Sequence, residues 1–261
     1  MIIPKDMKAG STHKTNNNGS LTIIEYKSAT KVIVKFIETN YITTTTARYI
    51  RIKCVKDLLS KKVFGVGCFG VGIYKAKENG KVLLSYNKWI SMLNRCYSKD
   101  FQKEHQTYKG CTVCNDWLNY QNFAKWFYDN FDFNNKSYCL DKDMKVINNK
   151  VYSPEFCVFI PNNINCFITD HNLGRGDFMI GVHKYINRFV STCSSPFLEG
   201  CNSVVGRFNT EQEAHQAWRK QKSIYANQLA EQQENEIVKD ALLNYANALD
   251  NNLIYADGYT K

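Results

Sequence analysis

The fold of the central region is decided by Ser137-Tyr-Cys-Leu-Asp-Lys-Asp143, Asn148-Asn-Lys-Val-Tyr-Ser-Pro-Glu-Phe-Cys157 and Ile160-Pro-Asn-Asn-Ile-Asn165. In this order the three stretches predict a β-strand, an Asn-rich turn, a second strand and a short helix. Carboxylates stand at the start of the segment and amides at its end. This layout is typical of a compact ββα metal finger, which gathers oxygen ligands around one divalent ion.

Charge is distributed unevenly along the 261 residues, whose formal net charge is +10. Residues 1–88 carry 16 Lys and Arg against 5 Asp and Glu. Residues 173–226 carry 7 against 4, and residues 227–261 are acidic with 2 against 6. Two separated basic regions suit a polyanion that spans the molecule, which indicates nucleic acid, and charge that serves only solubility is the alternative.

Hydrophobic residues make up 44% of the chain, which is enough for folded cores. No run of 18 uncharged apolar residues occurs, and the first residues lack the apolar core of a signal peptide. We therefore expect a cytoplasmic protein with no membrane partner. The ten cysteines have irregular spacing and are interpreted mostly as reduced, buried thiols.

The pattern predicts an α+β protein of four parts. Residues 1–85 form a basic, β-rich antiparallel module, because β-branched and aromatic residues alternate with polar ones. Residues 86–172 contain the ββα segment. Residues 173–228 predict three short strands and a helix that opens with a capping box. Residues 229–261 predict a polar helical tail.

Two helices are predicted to surround the ββα segment, over residues 88–97 and 116–127. Trp89, Met92 and Leu93 fall on one face of the first helix, and aromatic residues mark one face of the second. We interpret these stripes as hydrophobic core.

The sequence Cys111-Thr-Val-Cys114 has the CxxC spacing of many zinc sites, and Cys139 and Cys157 are available to complete a set of four thiolate ligands. A structural Zn²⁺ would staple a small domain. Simple buried thiols are the alternative, since no second CxxC or HxxxH motif is present.

Three sets of motifs, taken in order, resemble one family. The first is Asn40-Tyr-Ile-Thr-Thr-Thr-Thr46, Val55-Lys-Asp57 and Phe64-Gly-Val-Gly67; the second is Trp89-Ile-Ser-Met-Leu-Asn-Arg-Cys-Tyr97, Tyr108-Lys-Gly-Cys-Thr-Val-Cys-Asn-Asp-Trp117, Leu140-Asp-Lys-Asp143 and Tyr152-Ser-Pro-Glu-Phe-Cys157; the third is Gly181-Val-His-Lys184, Gly206-Arg-Phe-Asn-Thr-Glu-Gln-Glu-Ala-His215 and Ala217-Trp218.

The first two sets resemble the N-terminal module and the nuclease-like core of bacteriophage HNH (His-Me finger) homing-endonuclease-like proteins. The third set resembles the DNA-binding domain of plant ethylene-response factors, the Apetala type, which these phage proteins often carry. The resemblance covers residues 16–226. It implies a DNA-binding protein of the host bacterial cytoplasm.

HNH enzymes use a histidine base on the first strand, an asparagine that orients it, and an Asn or His metal ligand on the helix. The resemblance therefore implies catalytic roles for Asp141, Asp143 and Asn149, with Mg²⁺ held by Asp141 and Asn165. A carboxylate and an amide oxygen suit Mg²⁺, whose bound water could attack a phosphate. The alternatives by position are Asn148 in the turn and Asn162 and Asn163 on the helix.

The usual histidine base is missing, because no histidine lies between His105 and His171. Proton removal would fall to an aspartate, to one of these two histidines or to bulk water. The alternative is that Asp141 and Asp143 cap a turn while the asparagines satisfy backbone groups.

The resemblance to the plant factors implies a sheet that enters the major groove of DNA. Arg175, His183, Lys184, Arg188 and Arg207 are the matching candidates for DNA contact. Arginine suits bidentate reading of guanine, and lysine suits positioning on the phosphate backbone. Charges that only solvate a sheet face are the alternative.

The leading hypothesis is a homing-type endonuclease that performs Mg²⁺-dependent phosphodiester cleavage of double-stranded DNA. The rival is a catalytically inactive DNA-binding protein, regulatory or architectural, on a degenerate HNH scaffold. A third possibility is an RNA-binding or host-protein-binding role, which the basic sheet at residues 20–54 would tolerate.

Overall fold

The computed structural model describes residues 2–134, 137–169, 177–197 and 202–258. Helices and strands are mixed along the chain, which confirms the predicted α+β class. Two compact units are present, made of residues 1–109 with 113–128 and of residues 110–112 with 129–261. No helix in the described ranges combines the length and apolar character needed to cross a bilayer.

The first unit opens with a four-stranded antiparallel sheet, in the order β1-β2-β3-β4. Its strands are β1 Thr12–Lys14, β2 Ser20–Ser28, β3 Lys31–Phe36 and β4 Ile42–Thr45. On β3, Val32 and Val34 are buried while Lys31 and Lys35 are exposed, so alternate side chains face the core and the solvent. Helix α1, Ala47–Arg51, follows and buries Ile50 in the same core. The predicted antiparallel β module is confirmed.

The rest of the first unit is mainly helical. The elements that follow in the chain are β5 Lys77–Glu78, β6 Lys81–Val82, α2 Leu84–Tyr97, α3 Lys99–Glu104, β7 Thr112–Val113 and α4 Tyr120–Asn130. Thr112 of β7 and the last two residues of α4 belong to the second unit. Trp89, Met92 and Leu93 of α2 are buried, in agreement with the apolar face predicted for this helix. The helix predicted from residue 116 begins later, at Tyr120. Asn119 is extended there, and its side-chain oxygen accepts the N–H of Gln121 at 2.9 Å.

The ββα segment lies in the second unit. Its elements are β8 Tyr138–Asp141, β9 Val151–Tyr152, β10 Val158–Pro161 and α5 Asn162–Ile168. Strands β8 and β10 are antiparallel, with Asp141 opposite Val158 and Tyr138 opposite Pro161. The predicted order of strand, turn, strand and helix is confirmed. The hairpin partner of β8 is β10, however, and lies after the stretch predicted for the second strand.

The C-terminal part of the second unit is a three-stranded antiparallel sheet followed by two helices. These elements are β11 Val182–Tyr185, β12 Arg188–Ser194, β13 Asn202–Phe208, α6 Glu211–Glu231 and α7 Glu236–Asp250. The capping box is present at the start of α6: the Thr210 hydroxyl accepts the N–H of Glu213, whose carboxylate accepts the N–H of Thr210. The sheet-plus-helix arrangement is thus confirmed.

One hydrophobic core joins α5, α6 and α7. Ile164 and Phe167 of α5 pack in the same buried cluster as Trp218 of α6 and Tyr245 of α7. The buried Lys222 of α6 adds a polar link: its ammonium donates to the carbonyl of Phe167 at 2.6 Å and lies 4.1 Å from the centre of that ring. The ββα segment therefore supports the helices beneath the C-terminal sheet.

Candidate nucleic-acid interface

The register of the C-terminal sheet gathers three of the predicted DNA-contact residues on one face. His183, Val190 and Arg207 lie opposite one another across the three strands, and Tyr185 lies opposite Arg188 at the next position of the same face. Side chains alternate between faces along a strand, so these five share one side of the sheet. We call this side, with Thr192 and Val204, the outer face.

The opposite side of the sheet packs against α6. Ser191 and Cys193 of the central strand are buried there. Gly181, just before β11, lies so close to Trp218 that a Cβ atom would sit 2.1 Å from the indole Cδ1; its φ of +76° also favours glycine. The sheet is thus held on the helix by contacts that require these residue types. On the outer face, Val190 is buried and Thr192 half-buried, and the other five residues are exposed.

Two arginines on the outer face are held by neighbouring side chains. The guanidinium of Arg207 lies 5.7 Å from the ring centre of Tyr185. Arg188 donates through Nη1 to the side-chain oxygen of Asn209. His183, Arg188 and Arg207 are all exposed, and none of the seven outer-face residues is acidic. The outer face is therefore electropositive and partly ordered.

Apolar side chains stand among these charges. Tyr185 is 55% exposed and Val204 is 63% exposed. Isolated apolar side chains are common on protein surfaces, but here they share a face with cationic donors. Apolar groups of this kind contact the methyl group of thymine in the major groove, where arginine reads guanine.

The remaining predicted DNA-contact residues fall elsewhere. Lys184 pairs with Phe189 in the register, so it lies on the side of the sheet opposite to the outer face; its ammonium is 5.9 Å from the ring centre of Phe189. Arg175 lies outside the described residues. Three residues of this region were not predicted from the sequence: Tyr185 and Val204 on the outer face, and Asn209, which accepts from Arg188. Period-two counting from His183 identifies Tyr185.

Asp141, predicted as a metal ligand, caps the turn that follows β8. Its Oδ1 accepts the backbone N–H of Asp143 at 2.9 Å and that of Met144 at 2.6 Å. This is the arrangement by which aspartate commonly stabilises a turn. Asp141 lies at the loop end of the hairpin, while α5 begins at the other end, after Pro161.

Asp143 and Asn149 are also used within this loop. Asp143 pairs with the buried Lys142 at 3.2 Å. Burial is the largest single influence on the pKa of Lys142 and lowers it, but the combined effects of Asp143, Cys111 and Asp141 outweigh burial, so the pKa is raised. Asn149 donates to the carbonyls of Lys142 and Val151, both at 2.7 Å, and accepts the N–H of Val151.

Asn165, the other predicted ligand, lies on α5 with a half-buried side chain, and its carbonyl accepts the N–H of Thr169. Within the described ranges, no group of three or more His, Cys, Asp or Glu side chains is placed to hold a metal ion. A site made from one carboxylate and one amide is of a different kind. The Mg²⁺ site at Asp141 and Asn165 stays a prediction.

The four cysteines proposed for zinc differ in their exposure to solvent. Cys111 and Cys157 are buried, and Cys114 and Cys139 are half-buried. Burial raises the pKa of Cys157 to about 12 and also raises the pKa of Cys114. Zinc binds the thiolate form of cysteine, and the structural Zn²⁺ stays a prediction. Cys139 donates instead to the side-chain oxygen of Asn162 at 3.4 Å.

Comparisons with protein families, with curated proteins and with solved structures found no match.

Proposed function

We propose that this protein binds double-stranded DNA through the outer face of its C-terminal sheet. The observation that carries the proposal is the grouping of His183, Arg188 and Arg207 on one exposed, acid-free side. The major groove of B-DNA is wide enough for β-strands, and several DNA-binding proteins read it with a sheet. The resemblance to ethylene-response-factor domains implies the same mode of binding.

Within this proposal the residues divide by chemistry. Arg188 and Arg207 donate to guanine edges, and Val204 contacts thymine methyl groups. Lys184, on the other side of the sheet, has the point charge suited to a backbone phosphate. This division gives both a salt-dependent affinity and a sequence preference.

The ββα segment acts, in the same proposal, as a structural support of a protein that does not cut DNA. The turn-capping role of Asp141 and the packing of α5 against α6 favour this role. The Mg²⁺-dependent endonuclease activity implied by the HNH resemblance stays a prediction, and the same purified protein tests it.

Binding is tested by selection from a random duplex pool with the full chain, followed by titrations at several salt concentrations. We expect one enriched motif, with affinity that falls as salt rises. Arg207→Ala should weaken binding to the motif by about 5- to 100-fold and relax the preference at one position. Lys220→Ala is the matched control, because it removes one exposed positive charge from α6 away from the sheet.

Two results would overturn this proposal: a pool with no enriched motif, or equal losses of affinity in the Arg207 and Lys220 variants. A duplex RNA of the selected sequence is the further control, because the narrow major groove of A-form RNA excludes a sheet. Tighter binding of that RNA would favour an RNA-binding protein.

Catalysis is tested with supercoiled DNA in the presence of Mg²⁺, Mn²⁺ or EDTA. The supporting role of the ββα segment predicts no metal-dependent nicking. Nicking that requires a metal and disappears in Asp141→Asn would establish the endonuclease instead, since asparagine retains the oxygen that caps the turn.

A further inference from the structure

A cavity of about 610 Å³ lies within the first unit. It belongs to a different unit from the outer face, and the DNA binding proposed for the outer face does not use this cavity. Cavities that bind small molecules have volumes of about 300–1,000 Å³, with mostly apolar walls and a few polar groups. This cavity has a volume in that range but a more polar lining, because eight of its fourteen lining residues are asparagine, lysine, aspartate or serine and the others are apolar, glycine or cysteine.

The first wall is the turn between β1 and β2 together with the segment after α1. The backbone N–H of Asn16 donates to the carbonyl of Lys53 at 2.9 Å. The side chain of Asn18 donates to the carbonyl of Val55 at 3.1 Å. These hydrogen bonds fix the asparagines against the lysine-bearing segment, so this side of the cavity is formed without a ligand.

The second wall is formed by residues 58–69, which supply apolar side chains. Leu58, Val63 and Phe69 line the cavity and are half-buried. The N–H of Gly70 donates to the carbonyl of Leu58 at 2.8 Å, and Val63 pairs with Gly67 through two backbone hydrogen bonds. A planar apolar group would find a preformed surface here.

Three exposed lysines, Lys53, Lys56 and Lys62, line the same cavity. Within the described part of the chain, none of them makes an ion pair with a carboxylate. The one acidic lining residue, Asp57, is buried, and its oxygens accept the hydroxyl of Thr39 at 2.6 Å and the N–H of Leu59 at 2.9 Å. The cavity therefore offers positive charge to an anion.

We propose that this cavity binds a nucleotide, with its base on the apolar wall and its phosphate at the three lysines. The asparagine amides carry both donors and acceptors, as the edge of a base requires. Lysine supplies a mobile point charge for phosphate. Two ligands share this chemistry: a free mononucleotide, and an unpaired nucleotide within a single strand.

Cys54 provides a local probe, because its exposed thiol lines the cavity. Cys166 is also exposed but lies on α5 of the other unit, and it serves as the internal reference. The experiment measures alkylation of both thiols in the full chain by peptide mass spectrometry. The four probes are thymidine 5′-monophosphate, an eight-residue oligothymidylate, thymidine and inorganic phosphate.

We expect the monophosphate or the oligonucleotide to slow alkylation of Cys54 relative to Cys166, with thymidine and phosphate much weaker. Equal protection by the monophosphate identifies a free nucleotide as a sufficient ligand. Protection by the oligonucleotide alone identifies a strand as the source. No protection by either nucleotide probe, or full protection by inorganic phosphate, would overturn the proposal.

Charge removal supplies the second measurement. The triple variant with Lys53, Lys56 and Lys62 changed to Gln should need about tenfold more nucleotide for the same protection. The matched control changes Lys14, Lys31 and Lys35 to Gln, which removes three exposed charges from the same unit outside the cavity. Equal weakening in both triple variants would mean general electrostatic attraction and would also overturn the proposal. Because the outer face lies in the other unit, its variants leave this readout unchanged.

Discussion

The outer face of the C-terminal sheet and the turn after β8 both contain polar side chains but use them in opposite ways. On the outer face, His183 and Arg207 are exposed on either side of the buried Val190. In the turn, Asp141 and Asn149 direct their oxygens and nitrogens at backbone groups of their own loop. Polar side chains whose hydrogen bonds are all made locally stabilise a fold, whereas exposed ones remain able to bind a partner.

The largest effect is expected from replacing Gly181, because this residue lets the sheet that carries the outer face pack closely against α6. Gly181→Ala places a methyl group against Trp218 at a positive φ. We expect a loss of about 3–5 kcal/mol in the free energy of unfolding. Urea denaturation measures it. Gly10→Ala is the matched control, because Gly10 also has positive φ but has open space around its Cβ position.

Removing both arginines of the outer face tests whether these side chains serve DNA binding and not the stability of the fold. The double change of Arg188 and Arg207 to Ala should cost about 2–4 kcal/mol of DNA-binding free energy. The free energy of unfolding should change by less than about 0.5 kcal/mol, because both side chains are exposed. Fluorescence anisotropy and urea denaturation give the two numbers. A large loss of stability would assign the arginines to the fold instead.

Removing the cap of the turn should give the opposite result. Asp141→Ala leaves two backbone N–H groups without their acceptor and should cost about 1–2 kcal/mol in stability. Affinity of the folded protein for DNA should stay unchanged. Asp141→Asn keeps Oδ1 and should recover most of the loss. If Asp141→Asn is as unstable as Asp141→Ala, the carboxylate charge matters beyond its role as an acceptor.

The smallest expected effect is a pH dependence from His215 beneath the sheet. Burial lowers the pKa of His215 below its ordinary value of 6.5, against the carbonyl of Ile180, which raises it. Among the neighbouring charges, Arg219 lowers the pKa further, and Asp257 and Glu211 raise it. Because the pKa is lower in the folded protein, the unfolded chain binds more protons as the pH falls below 6.5. The contribution of neutral His215 to the free energy of unfolding is therefore fully present above pH 6.5 and is lost as the pH falls below it.

The measurement is the urea midpoint between pH 8 and pH 5, in the wild type and in His215→Gln. The wild type should lose more stability over this range than the variant. Equal losses in the two proteins would show that other groups set the pH dependence.

Local sequence patterns predicted many of the strands and helices. Alternation of apolar and polar residues identified the β module and the strands of the C-terminal sheet, and Thr210 with Glu213 marked the start of α6. The grouping of His183 with Arg207 depends on cross-strand register, which alternation along one strand does not determine. The hairpin partner of β8 was misplaced for a similar reason, because residues 142–157, which include β9, separate β10 from it.

The site in the ββα segment was harder to predict, because the decisive contacts belong to particular rotamers. A carboxylate that follows a strand suits a metal and a turn equally well in sequence, and only the orientation of Asp141 distinguishes the two. The packing of Phe167 against Tyr245 joins residues far apart in the chain, and helical periodicity does not identify such partners. The cavity of the first unit likewise depends on contacts between separate loops.

The ammonium of Lys222 on the carbonyl of Phe167 limits how the C-terminal sheet can be transplanted. A fragment that began at residue 177 would lack α5, and so would lack the ring of Phe167 that packs on Tyr245 and the carbonyl that accepts from the buried Lys222. Ile254 and Tyr255 belong to the same core. Recombination or engineering must therefore move residues 138–258 together, and α5 stays with the sheet.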